Sequence, residues 1–186
     1  MVEIPTSWVP QGAKAHERRR EQKPLGHPLL IGEHELSIDE KSRLPIPAAV
    51  RKNLDPERDG NAFYLVLGLN RKPWLYPEKY YEQIVSQAQN DLMPGQEQLD
   101  YDHMNYALAD KIAWDAQGRL QIPVKTLRRS GLDREVTVIG ARDHLEIWNK
   151  QDWEARREEL LARSAEVVIR AKQARQSPPP PASGQG

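Results

Sequence analysis

Two stretches of the sequence carry the same spaced pair of opposite charges: Asp39 is followed four residues later by Arg43, and Asp115 by Arg119. An aspartate entering a tight turn can accept backbone N–H groups and hold the turn in shape. An arginine leaving the turn can pair with that aspartate or project outward, and its planar guanidinium suits phosphates and base edges. Gly118 supplies a left-handed conformation cheaply in the second stretch. Around each pair the local charge is positive although the formal net charge of the chain is zero, 27 basic residues against 27 acidic ones. Residues 41 to 52 hold Lys41, Arg43, Arg51 and Lys52 and no acid; residues 116 to 129 hold Arg119, Lys125, Arg128 and Arg129 and no acid. A basic cluster recurring at one point of two segments is the electrostatic footprint of a polyanion binder. A solvated helix face is the commoner meaning of a charge run, but recurrence at matched positions favours binding.

Other chemistries find little support. The chain has no cysteine, which excludes disulfides, thiol nucleophiles and zinc–thiolate sites. Its five histidines (His16, His27, His34, His103 and His144) lack metal-ligand spacing. Asp100, Asp102 and His103 read as a solvated linker, not a metal cluster. There is no glycine-rich phosphate loop and no Gly-x-Ser-x-Gly elbow. The expectation is a protein that is not an enzyme, with no catalytic residue, metal, cofactor or small-molecule substrate. No run approaches the roughly eighteen apolar residues of a membrane span. Arg18, Arg19 and Arg20 have no apolar stretch beside them, so a secretory signal is not expected and a cytoplasmic setting is.

The elements that must position the paired charges come as a repeat. Ile38 to Pro47 aligns with Trp114 to Pro123 at an offset of 76 residues, sharing Asp, Arg, Leu, Ile and Pro. Tyr64 to Gly68 aligns with Val136 to Gly140 at an offset of 72, as Leu75-Tyr76 does with Ile147-Trp148. Each copy predicts a strand (Glu33 to Ile38; Ala107 to Trp114), the charged turn, a short strand, and a two-turn helix opened by Pro47 or Pro123. A β-hairpin follows (Phe63 to Leu67 with Trp74 to Tyr76; Val136 to Ile139 with Leu145 to Trp148), then another helix. In the helix after the first hairpin the apolar stripe is Tyr80, Ile84, Val85 and Ala88; in the second it is Trp153, Leu160, Leu161, Val167, Val168 and Ala171. The fold expected is α+β: two hairpin and short-helix repeats closing on each other as a pseudo-twofold barrel, with a helix after each and a long C-terminal helix. The divisions are a disordered arm over 1–31, the first repeat with its helix over 32–90, a linker over 91–106, the second repeat over 107–153, one continuous helix over 154–175, and a Pro-rich tail over 176–186. Both ends are expected to be dispensable.

The doubled turn, its Arg-Leu-x-Ile-Pro exit, the short helix and the strands after it resemble the MraZ family of bacterial transcriptional regulators, within the AbrB-like swapped-hairpin superfamily. The resemblance covers roughly residues 32 to 155. Single-repeat relatives take their second copy from another chain; here both copies lie in one. The resemblance implies a DNA-binding surface built on Asp39 and Arg43 and on Asp115 and Arg119, with Lys41 at the family's usual lysine. It implies a ring-shaped homo-oligomer, an octamer or similar, binding short direct repeats and repressing a cell-division and cell-wall gene cluster, hence a nucleoid association. Ser42 stands where the family usually has glycine, so a strained or differently shaped first turn is expected. The full expected DNA-binding set is Lys41, Arg43, Arg51, Lys52, Arg119, Lys125 and Arg128, with Asp39, Asp115 and Gly118 shaping the turns and double-stranded DNA as partner. The competing expectation is a ring-forming scaffold of the same fold that no longer binds DNA.

Overall fold

The computed structural model describes residues 27–88 and 93–176; the expectations for residues 1–26 and for the tail beyond Gln176 lie outside the described residues. Among the described residues eight strands form: β1 (Glu33–Ser37), β2 (Arg43–Pro45), β3 (Ala62–Leu67), β4 (Pro73–Pro77), β5 (Asp110–Ala113), β6 (Arg119–Gln121), β7 (Glu135–Gly140) and β8 (Leu145–Asn149). Six make one antiparallel sheet in the order β1-β7-β8-β4-β3-β5, and β2 pairs with β6. The first strand of each half therefore lies against the hairpin of the other half: Leu36 opposite Val136, Ile112 opposite Phe63. The halves also meet where Leu44 faces Leu120 and where Trp74 faces Glu146.

This register corrects the alignment of the hairpins. Phe63 partners Ile112 as Val136 partners Leu36, so Phe63 corresponds to Val136, one residue out of step with the expected match of Tyr64. The core runs through both halves and includes Leu44, Leu120, Ile122, Phe63, Val136 and Ile147, all essentially inaccessible. β3 and β7 are buried over nearly their whole length, which is why they read as unbroken apolar runs rather than as alternation. β5 is shorter than expected, because His103 to Leu108 forms a wide helical turn closed by Leu108 N to His103 O.

The short helices are α1 (Ala48–Asn53), α2 (Pro56–Asp59), and α5 (Val124–Ser130) in the second half; α3 (Glu78–Gln87) and α4 (Gln96–Asp102) lie between. Pro47 and Pro123 sit one residue outside their helices, extended; α1 buries Val50 in the core, and α5 buries Thr126 and packs Leu127 against the core. Asp55 caps α2 by accepting from Glu57 N and Arg58 N. On α3 Tyr80 packs as expected, against His27 at 4.7 Å, and Tyr81 packs as well, stacked on Tyr64 at 4.6 Å, while Ile84 and Ala88 are exposed.

Two boundaries differ from expectation. The arm does not reach residue 31: Leu30 is 1% exposed, within the core, and exchanges backbone hydrogen bonds with Arg142 at 2.8 and 2.9 Å. Gly140 makes room for this strap, since a Cβ there would meet Ile31 N at 2.4 Å. Removing residues up to 31 would thus take a core leucine. The long final helix is two helices, α6 (Lys150–Ala162) and α7 (Ser164–Gln176), parted at Arg163 (φ −111°, ψ 18°). Arg163 bridges the break by ion pairs to Glu159 and Glu166, both 3.0 Å. α6 is tied to the sheet, through Trp153 and Arg157 to Glu33 and Lys150 to Glu35. The expected stripe stops there: Leu161, Val167 and Val168 are exposed, and so is Ile169.

Candidate nucleic-acid interface

The two charged turns are built from the same bonds. Asp39 Oδ1 accepts from Lys41 N and Arg43 N, both at 2.9 Å, and Oδ2 accepts from Arg43 Nε at 2.7 Å and pairs with Nη2 at 2.7 Å. Asp115 Oδ1 accepts from Gln117 N at 2.9 Å and Arg119 N at 3.0 Å, and Oδ2 from Arg119 Nε at 2.8 Å and Nη2 at 2.7 Å. Ser42 N donates to Asp39 O and Gly118 N to Asp115 O, each at 2.8 Å. Each aspartate is thus the hub of its turn. Hydrogen bonds from the Arg43 side chain and backbone hold the Asp39 carboxyl down at about 2, and Arg119 lowers Asp115 in the same way.

The first turn is not differently shaped. Ser42 adopts φ 59° where Gly118 adopts φ 74°, so the serine takes on the left-handed conformation that glycine reaches freely. Ser42→Gly is therefore expected to raise stability by about 0.5–1 kcal/mol, read from the midpoint of urea unfolding at unchanged slope.

The turns lie side by side. Ile46 N donates to Gly118 O and Ile122 N to Ser42 O, both at 2.8 Å, and Gln121 Nε2 reaches Lys41 O at 2.6 Å. Lys41 is exposed at the first tip, and Arg51, Lys52 and Arg128 are exposed on α1 and α5. Arg43 and Arg119 are 29% and 30% exposed, each clamped to its own aspartate with part of its guanidinium still open. Lys125 departs from the expected patch: it turns toward β5 and pairs with Asp110 at 2.7 Å. Arg129 lies elsewhere, beside an apolar groove of about 800 Å³ walled by Leu69, Tyr81, Ile84, Tyr101 and Met104. The basic runs looked free of acid because Asp39, Asp110 and Asp115 precede them in sequence; folding brings these carboxylates back onto the cations.

A second charged cluster went unread in the sequence. His144, 9% exposed, lies between the Trp74 and Tyr76 rings at 4.5 and 4.8 Å. Its Nδ1 is 2.9 Å from Asp143 Oδ1 and its Nε2 is 3.4 Å from Glu146 Oε1. Burial opposes charge on the imidazole, but the two carboxylates outweigh it and raise its pKa. A lone histidine gives no sequence signal for this; the partners come from its own loop, from β8 and, across the join, from β4. Among the described residues no three histidine, aspartate or glutamate side chains are placed to hold a metal, and no helix is long and apolar enough to cross a membrane.

Comparison with known proteins bears on this geometry. The family model described as "MraZ protein, putative antitoxin-like" matches residues 29–101 and 106–175. The transcriptional regulator MraZ of Thermobifida fusca (strain YX) is 31% identical over 144 residues, 76% of this chain and 97% of that protein. That of Dehalococcoides mccartyi (strain BAV1) is 29% identical over 141 residues, 75% and 96% of the two chains. That of Neisseria meningitidis serogroup A is 33% identical over 125 residues, 67% and 82%. The matches span both turns and the strands that cross between the halves, and the chain belongs to the MraZ family.

Proposed function

We propose that this chain is a sequence-specific DNA-binding transcriptional regulator, a repressor of a cell-division and cell-wall gene cluster, acting as a ring-shaped homo-oligomer associated with the nucleoid. The observation that carries the reading is the pair of identically bonded turns, held side by side by β2 and β6, with Lys41, Arg43, Arg51, Lys52, Arg119 and Arg128 around them. The crossing of β1 to β7 and β5 to β3 supports an AbrB-like swapped-hairpin arrangement within one chain. Its relatives' names as transcriptional regulators support regulation rather than catalysis. The apolar groove and the exposed Val167, Val168 and Ile169 support self-association. Each protomer offers a turn pair of modest affinity; a ring multiplies it on DNA carrying repeated boxes, through effective concentration alone.

Occupation of a promoter requires no reaction. Cations on phosphates supply affinity, and guanidinium contacts to purine edges supply choice. Selection from random duplex DNA by the purified protein is expected to enrich a short, evenly spaced box. Affinity for it should fall by about a thousandfold between 50 and 200 mM salt if roughly six or more phosphates are neutralised. The internal pairing of Arg43 and Arg119 favours one competing reading, a ring scaffold without DNA binding. No enrichment at low salt, together with a ring in light scattering, would establish that reading instead.

A further inference from the structure

Arg51 and Leu127 occupy matching places, each four residues beyond the proline that precedes its helix. What they do there differs. Arg51 crosses to the turn of the other half and fills the space that a Cβ on Gly118 would take, with Nη1 2.5 Å and Cδ 2.8 Å from that point. The cleft it enters is walled by Asn61, Trp114, Asp115 and Ala116. Leu127 lines the counterpart cleft beside Ser42, among Asp39, Glu40, Asp133 and Arg134. Arg43, Arg119 and Lys125 each hold a carboxylate, whereas among the described residues no acceptor pairs with the Arg51 guanidinium.

We propose that Arg51, seated across Gly118, is the specificity-determining residue that reads base edges, and that the turn capped by Leu127 anchors phosphates without reading. This rests on the DNA-binding reading above. Three considerations carry it. A guanidinium with unspent donors can make the bidentate contact to guanine that a clamped one cannot make without breaking its internal pair. Its stem is held against the glycine backbone, so less side-chain freedom is lost on contact. The Arg51/Leu127 difference also breaks the pseudo-twofold, giving each protomer a direction. A symmetric reader selects a palindrome, while a polar one selects a box whose copies run the same way.

The test measures binding to the selected duplex and to a scrambled one by fluorescence anisotropy. Arg51→Leu copies the residue already accepted at the matching place, so folding should persist. It is expected to lower affinity for the selected duplex by about ten- to a hundredfold, with a far smaller change on the scrambled one. Lys52→Ala should weaken both duplexes alike and lower the salt slope by about one. The reciprocal Leu127→Arg with Ser42→Gly should create a second reader, and selection with that variant should enrich a box with internal twofold symmetry. Unchanged discrimination in Arg51→Leu would overturn the inference while leaving DNA binding standing. If the unsubstituted protein binds neither duplex at low salt, the DNA-binding reading falls, and this inference with it.

Discussion

Replacing Arg43 and Arg119 together by alanine is expected to reduce affinity for duplex DNA by about a hundredfold or more near 0.1 M salt. Two effects act in the same direction. Two phosphate contacts go, which lowers the slope of affinity against salt by about two. Asp39 and Asp115 also remain, partly exposed and stripped of the guanidiniums that neutralised them, on the face proposed to approach DNA. The second effect has a pH signature. In the unsubstituted chain the fold favours ionised Asp39, so its contribution to stability is complete above the ordinary aspartate value and is lost progressively as pH falls from there through about 2. Without the Arg43 side chain that carboxyl rises, while the backbone N–H groups of residues 41 and 43 still hold it below the ordinary aspartate value. DNA affinity of the double variant should then begin to recover at a higher pH, on acidification, than any change in the parent's. Adding Asp39→Ala and Asp115→Ala to the double variant should restore part of the loss at neutral pH, provided circular dichroism reports an intact sheet. A folded double variant with parental affinity would relieve the turns of any part in binding.

How much of this was legible depends on whether the determinant was local. Asp39/Arg43 and Asp115/Arg119 could be read because each turn is fixed by bonds within five consecutive residues. The strand partners could not: nothing in Glu33 to Ser37 names Val136 as a neighbour, since pairing is set by which apolar faces the closed sheet buries. The hairpin alignment went astray by one residue because Gly68 and Gly140 invited a match, yet they are glycine for separate reasons. One accommodates the Trp74 ring, the other the backbone of Leu30 and Ile31. Leu30 itself was hidden by its proline-rich neighbours, which look like an arm until Arg142 pairs with it. The break at Arg163 has no proline or glycine to announce it and is held by ion pairs on both sides. The charge patch was overestimated for a related reason: counting acids within a window misses Asp110, which reaches Lys125 through space.

His144→Leu is expected to produce the largest loss of stability, about 3–5 kcal/mol below the raised pKa of the imidazole, because there it removes the cation between two half-buried carboxylates and keeps the carboxylates. The site lies at the narrowest join in the large sheet. β4 and β8 pair through Trp74 with Glu146 and Leu75 with Leu145 alone, and the imidazole is wedged between Trp74 and Tyr76 beside that seam. Around it Tyr80 donates to Asp143 and Trp148 to Glu146, while Arg142 reaches Asp143 only at 3.4 Å, so His144 is the main counter-charge. Its folded pKa is raised, so its contribution is whole below the unfolded value of about 6.5 and is lost as pH climbs through the folded one. The parent should therefore weaken as pH rises above the unfolded imidazole value of about 6.5, and also in acid as Asp143 and Glu146, both lowered, are protonated. In the leucine variant the signs change for the carboxylates. Burial without a cation raises them, and their protonated forms suit the fold, so the variant should gain stability as pH falls from about 7 to 5, where the parent is nearly level. Adding Glu146→Gln to the variant should recover part of the loss by removing one stranded charge. Parallel pH–stability curves for parent and variant, from urea midpoints at each pH, would mean that the imidazole holds the seam by packing and not by charge.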